Sequence, residues 1–331
     1  MQLPNEYASR QDAGEVAFVE RALNYIEKEA YNVVFPPLEA EKYVPSDETF
    51  PEGAKSFTYR QWTRTGIAKL ITERGNDMPT VKLFCKEFTR QFYRIGAAYE
   101  YTLDDLLAAQ DQGKLGGGAP INIESEHAVA AREAVDRGID AVAAIGSATS
   151  ATIPGLSVTI GTDVGLLGIL NQPYATIYTI ATSTTSGSTL WSTKTPDEKI
   201  ADLTGIYASM VTSTYKTFKP DTILLPIEQF ENANGQRMGD GSDETVISFF
   251  RKIKPQVTLD SWQFCEGAGV GGTDRMVAFI NNKRYVRQVI SQRFRQQPPE
   301  WRNLTFWTLC TAKLAGVVAQ YPLSISYGDG L

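Results

Sequence analysis

The sequence predicts an α+β fold: an N-terminal arm, a projecting β-hairpin, and roughly two domains organised on one long helix. Three observations carry this. The chain has 331 residues, and at about 100–200 residues per domain that length holds roughly two domains with sizeable cores. A run with helical periodicity extends from about residue 123 to 145. Segments with period-two alternation lie both before and after it.

Composition removes several classes of function. Lys+Arg minus Asp+Glu is 32 − 38 = −6, the reverse of the balance expected for a protein that reads DNA sequence through its phosphates. A single histidine, His127, leaves no multi-histidine metal site, and any Ser-His-Asp triad would have to use it. Cys85, Cys265 and Cys310 are too scattered for a disulfide framework or a zinc knuckle, so a reducing, intracellular setting is expected. No stretch reaches the ~18 apolar residues of a membrane span, so no membrane partner is expected.

The first forty residues read as an arm. Asp12 and Glu15 make a capping-box-like start, and Val16, Val19, Leu23, Ile26 and Ala30 recur on one helical face. Pro36-Pro37 ends the pattern. A lone helix of this length is marginal in water, so its apolar stripe needs another surface. Over residues 45–85, Ser56 to Arg64 alternates, Gly66 interrupts, Ile67 to Thr72 continues, and Gly75-Asn76-Asp77-Met78-Pro79 breaks the run. This predicts a long projecting hairpin with aromatics on one side and arginines close by.

Strand-like alternation returns from Phe88 through Tyr99. Thr102 then caps a short helix, Leu103 to Gln110, with Asp104 and Asp105 in its first turn. Gly116-Gly117-Gly118 links to the long helix. Its apolar face is Ala128, Ala131, Val135, Ile139, Val142 and Ile145, with Glu124, Arg132, Glu133, Asp136, Arg137 and Asp140 set elsewhere. At 1.5 Å per residue this spine is about 35 Å long. Residues 147–195 suggest short strands and turns. Pro196 opens a helix that runs toward Lys219-Pro220. Thr222 to Leu225 is a short buried strand, and Glu244 to Ile253 a helix. Gln263–Glu266 and Met276–Ile280 alternate. Tyr285–Phe294, Leu304–Cys310 and Ala315–Gln320 read as three strands set off by Pro298-Pro299 and Gly316.

Gly267-Ala268-Gly269-Val270-Gly271-Gly272 fits the G-x-G-x-x-G pattern. A dinucleotide site needs a helix immediately after it, and Met276 onward alternates like a strand, so a turn is expected. Asp240 to Glu244 lacks the bidentate glutamate of a calcium loop, since Arg251 stands at its twelfth position. Ser242 or Asp243 is expected instead to cap the next helix. His127, without a nucleophile at readable spacing, is expected to be solvated or at an interface. The cluster Arg275, Lys283, Arg284, Arg287, Arg293, Arg295 and Arg302 could meet DNA phosphates. Pairing with an acidic arm of a neighbouring subunit is preferred, because no aromatic stacking pattern accompanies it.

The order of parts resembles the tailed-bacteriophage major capsid proteins of the Hong Kong 97-type fold, over nearly the whole chain. Phe35-Pro36-Pro37-Leu38, Phe57-Thr58-Tyr59 with Gly66-Ile67-Ala68-Lys69, Asp77-Met78-Pro79 and Ile95-Gly96-Ala97-Ala98-Tyr99-Glu100-Tyr101 are similar to an encapsulating subgroup of these proteins. Gly168-Ile169-Leu170-Asn171 is similar to their Gly-Leu-x-Asn segment. The resemblance implies an N-arm over residues 1–44 and an extended loop over 45–85. It implies a peripheral domain over 86–150 with 284–321, and an axial domain over 151–283 with 322–331.

It further implies a virion structural protein, assembled in the host cytoplasm into hexamers and pentamers around double-stranded DNA, without cofactor, metal or catalytic residues. Implied partners are other copies of the chain, a separate scaffolding protein, a portal, a decoration protein and non-specifically contacted DNA. The expected inter-subunit contacts are Val16, Val19, Leu23 and Ile26 on the arm, Phe57, Tyr59, Arg60, Trp62 and Arg64 on the loop, and Arg287, Arg293 and Arg295. Lys55 and Lys69 lie in the loop, but no partner asparagine or assisting glutamate matches, so no Lys–Asn cross-link is expected. The alternatives are an encapsulin-type nanocompartment shell and a nucleotide-dependent enzyme using Gly267–Gly272.

Overall fold

A computed structural model describes residues 36–70, 78–112, 123–147, 151–153, 156–158, 165–239, 241 and 243–331. Val16, Val19, Leu23 and Ile26 lie outside the described residues. In chain order the elements are α1 (Ala40–Tyr43), β1 (Ser46–Asp47), β2 (Ser56–Thr65), β3 (Lys82–Gln91), β4 (Tyr93–Thr102), α2 (Leu103–Gln112) and α3 (Ile123–Ile145). There follow β5 (Ala151–Ile153), β6 (Leu156–Val158), β7 (Thr176–Thr179), α4 (Pro196–Ser213), β8 (Thr222–Leu225), α5 (Ile227–Gly235) and α6 (Val246–Ile253). The chain closes with β9 (Thr258–Ser261), β10 (Arg275–Phe279), β11 (Val286–Gln296), β12 (Glu300–Arg302), β13 (Thr305–Ala319) and β14 (Ile325–Asp329).

Among the described residues two five-stranded sheets organise the body. In the first, β13 is the hub: it pairs antiparallel with β4, β11 and β12, and β1 adds parallel to β11. The second runs β7-β14-β10-β8-β9, with parallel pairs at both ends and antiparallel pairs between. Residue alternation assigns the faces of the first sheet. Ile290 and Leu314 join Val135, Ile139 and Val142 of α3 in one cluster. Their neighbours Val289 and Ala315 point the other way, to Phe57 and Phe92 at the hairpin base. The second sheet packs one face on α4 to α6 through Leu203, Ile206, Ile223 and Phe250. Its other face, with Leu224, Val277 and Phe279, meets Ala141 and Ala144 at the end of α3.

Local chemistry explains the element ends. Thr102 and Asp105 cap α2 reciprocally: the Asp105 amide donates to the Thr102 hydroxyl at 3.1 Å, and the Thr102 amide to the Asp105 carboxylate at 3.0 Å. Thr195 and Glu198 do the same for α4, with Pro196 in the first helical position. Asn171 closes the spine, since its amide nitrogen donates to the Ile145 carbonyl at 2.7 Å and its oxygen accepts from the Gly168 amide at 2.6 Å. The Gly-Leu-x-Asn resemblance thus coincides with a C-terminal cap.

Several expectations need correction. Ile67 to Leu70 form no strand: β2 pairs instead with β3, from Ser56 opposite Gln91 to Thr65 opposite Lys82. Gly316 does not divide two strands, because β13 runs through it. At φ +74° it forms a bulge, and a Cβ there would stand 2.6 Å from the Leu167 carbonyl. Gln263–Cys265 is a 3₁₀ turn, not a strand. The cap of α6 is Thr245, whose hydroxyl accepts from the Ser248 amide, rather than Ser242 or Asp243. Asp140 is buried, because residues 39–44 lie over that side of the spine.

Candidate functional site

The β2–β3 hairpin leaves the body after its first few residues. Phe57 is buried with Phe50 and Phe92, and Tyr59 stacks on Phe88 at 5.2 Å. Beyond them nearly every residue of both strands is exposed. The register places Phe57, Tyr59, Phe84 and Phe88 on one face, and Arg60, Trp62, Arg64, Leu83 and Cys85 on the other. The aromatics are therefore split between faces, contrary to the expectation of one aromatic side. Trp62 is 57% exposed, Ile67 80% and Leu70 96%, with Met78, Val81, Leu83 and Phe84 also exposed. A projecting apolar tip of this kind is a candidate interaction surface. Of its members the sequence pattern flagged only Trp62. The others stand in Leu83-Phe84, in Ile67–Leu70, which forms no strand, and at Met78 and Val81 before the return strand.

Arg287, Arg293 and Arg295 line β11 and meet an acidic segment of the same chain. Arg287 reaches Asp47 at 2.8 Å, with Lys283 on the same carboxylate at 3.0 Å. Arg293 bridges Glu41 and Glu48, and Arg295 pairs with Glu52 at 3.0 Å. Burial opposes the Asp47 charge, yet the hydrogen bonds from Lys283 and Thr49 and the nearby Arg287 outweigh it and hold the carboxyl below its usual range. Lys313 adds hydrogen bonds to the Glu52 and Ala54 carbonyls at 2.7 and 2.5 Å. This belt ties residues 41–54 onto the first sheet, and the positive charge of β11 is matched within the chain.

The Gly267–Gly272 loop is a turn. Val270–Gly272 is a 3₁₀ turn followed by β10 rather than by a helix. Four of its amides are engaged: Gly267 donates to the Asp274 carboxylate at 3.0 Å, Val270 to the Asp329 carboxylate at 3.2 Å, Gly269 to the Thr273 carbonyl and Gly272 to the Gly269 carbonyl. Arg275 in turn holds Asp329 at 2.7 and 2.8 Å. An anion would meet carboxylates where a phosphate site needs free N–H groups. Among the described residues no cluster of His, Cys, Asp and Glu could hold a metal. His127 is half-buried, stacked against Tyr99 and Tyr101.

Comparison with known proteins decides the family. A family model described as major capsid protein matches residues 66–331. The chain belongs to the major capsid protein family. Among solved structures it is similar to the capsid of Myoviridae phage XM1, with TM-score 0.76 and 17% identity over 94% of this chain and 98% of that one. A chain from Mycobacterium phage Bobi matches with TM-score 0.61 and 14% identity, over 96% of this chain and 97% of the other. The virus-like particle from Pyrococcus furiosus follows at TM-score 0.50 and 13% identity, over 87% of this chain and 91% of that one. These likenesses establish the Hong Kong 97-type fold. No curated protein sequence matches the chain.

Membership in the major capsid protein family gives the chain a structural role in the virion shell. The described residues hold no helix long and apolar enough to cross a membrane. For a shell protein the relevant geometry is the hairpin that leaves the body and the belt that anchors its base. The structure brings together Arg60, Trp62 and Arg64 on one hairpin face. It places Phe57 in the chain's own core, and Arg287, Arg293 and Arg295 in intrachain pairs.

Proposed function

We propose that this chain is the main shell subunit of a tailed-phage head, forming hexamers and pentamers of an icosahedral capsid around double-stranded DNA. The observation that carries the reading is the exposed apolar tip of the β2–β3 hairpin. It supplies anchors that the described residues leave exposed, in a family whose members build shells. Many such modest contacts per subunit add up to a stable particle through multivalency and closed symmetry.

In this reading residues 1–44 are the N-arm and 45–85 the extended loop. Residues 86–150 with 284–321 form the peripheral domain, and 151–283 with 322–331 the axial domain. The division follows the two sheets, since β4, β11, β12 and β13 belong to one and β7 to β10 and β14 to the other. Scaffolding, portal and decoration proteins are the proposed partners beyond further copies of this chain. Contact with DNA is non-specific and weak, because the arginines of β11 are already matched by carboxylates.

The test is size-exclusion chromatography with light scattering and negative-stain microscopy on the full chain, alone and co-expressed with its scaffolding protein. Closed particles of megadalton mass are expected. A monodisperse monomer or dimer under every condition would overturn the proposal. An encapsulin-type shell would instead carry a co-purifying enzyme cargo, visible by mass spectrometry of the particle.

A further inference from the structure

Residues 39–44 form a strap between the two halves of the body. At one end the Ala40 amide donates to the Asp140 carboxylate of α3 at 2.7 Å, within the buried interior. At the other end Lys42 pairs with Asp260 of β9 at 2.5 Å, and the Tyr43 hydroxyl donates to the Ser261 carbonyl at 3.2 Å. Asn281 donates to the Lys42 carbonyl at 3.0 Å. Tyr43 and Val44 fill the core between α3 and Trp262, with the Tyr43 and Trp262 rings 5.4 Å apart. The strap thus ties residues 39–44 to the spine.

Asp140 is an unusual anchor. It is 6% exposed, and the strap that covers it brings Glu39 and Glu41. On its own helix Arg137 pairs with Glu133, and on β11 Arg293 is engaged by Glu41 and Glu48. We propose that Asp140 is the positioning residue that holds residues 39–44 against the spine, and that it acts as an acid-tightened latch. The strap docks more firmly when this carboxyl is protonated than when it is charged.

The direction follows from burial. Removal from water, with Glu39 and Glu41 adding to it and the strap amides partly offsetting it, pushes the docked Asp140 up to about 6. An undocked, solvated aspartate titrates at about 3.9. Between these values the docked form holds a proton that the open form has lost, so docking weakens as pH rises from about 4 to about 6. The accumulated change in the opening equilibrium is roughly a hundredfold, with a plateau above pH 6. Asp47 and Asp260 are both held below their usual range and stay ionised across this window, so their ion pairs do not generate the trend.

Hydrogen–deuterium exchange on the full chain tests it, read at residues 40–44 between pH 4 and 7.5 after correction for intrinsic rates. In the wild type, opening should increase at least tenfold between pH 4 and 6 and then level off. In Asp140→Asn the profile should be flat, and in Glu39→Gln the midpoint should move to lower pH. A flat or falling wild-type profile, or an Asp140→Asn profile like the wild type, would overturn the latch. Should Asp140→Asn not fold, Glu39→Gln decides: an unmoved midpoint overturns it equally.

Discussion

Two antiparallel ladders of similar length stand in this molecule under opposite conditions. β13, between β4 and β11, is buried almost throughout, with layers on both faces. β3, paired with β2, is exposed over nearly its whole length. Both are strands for the same backbone reasons. The side chains separate them: Leu309 to Ala319 carries only Lys313 as a charge, while Lys82 to Gln91 carries Lys82, Lys86, Glu87 and Arg90. A two-stranded hairpin is marginal by itself, so the base cluster around Phe57 and Phe92 must hold it to the body. Its apolar tip is exposed among the described residues. Under the proposed function stability resides in the body and assembly in the hairpin, and substitutions can test that separation.

The largest effect is expected in the body. Asp202 accepts from the Lys194 ammonium at 2.5 Å and from the Trp191 indole at 3.0 Å, with both charged side chains 1% exposed. Asp202→Ala leaves a buried ammonium without its counter-charge, so a loss of about 3–5 kcal/mol is expected in urea unfolding. A change below about 1 kcal/mol would show that the second sheet tolerates a lone charge.

At the hairpin, Trp62→Ser with Phe84→Ser should leave chain unfolding within about 0.5 kcal/mol of wild type, because both residues are more than half exposed. Assembly should weaken by about 2 kcal/mol or more per lost anchor, read as a higher concentration threshold for particles in light scattering. Equal losses in folding and assembly would break the division between the two ladders. Asn171→Ala lies between these cases. It frees the Ile145 carbonyl and the Gly168 amide at the end of the spine, and about 1–2 kcal/mol of folding stability should go with them.

The sequence made the body largely legible. The spine, from Ile123 to Ile145, has the residues of its apolar stripe buried or partly buried against the first sheet, because a 3.6-residue period over six turns has few competing readings. The cap at Thr102 and the helix start at Pro196 were visible for the same kind of local reason, while the Thr195 cap emerged only in the structure. What escaped was set by distant residues. Asp140 looked like a solvent-facing charge until residues 39–44, a hundred positions away, covered it. The return strand of the hairpin was misplaced because Gly66 resembles a turn, whereas Ser56 pairs with Gln91 across a long connection. Gly316 resembled a break, although the approach of Leu167 requires a glycine inside a continuous strand. Of the proposed contacts, Trp62 could be read from composition and spacing, whereas Leu83 and Phe84 lack the alternation that would have marked a face.

The smallest effect tests what fixes the register of the exposed ladder. Arg60 and Glu87 stand directly opposite each other, 2.7 Å apart, with Thr58 and Thr89 bonded at 2.9 Å one step nearer the body. Slippage by one residue would reverse every side chain, moving Tyr59 and Phe88 away from the base cluster. The aromatic base therefore sets the register, and the ion pair, more than half exposed on both sides, only trims it. A double-mutant cycle of Arg60→Ala and Glu87→Ala should give a coupling of about 0.2–1 kcal/mol that fades toward zero as salt is raised to about 1 M. A coupling that survives high salt would place the register in the ion pair, and the hairpin would then be organised along its length rather than from its root.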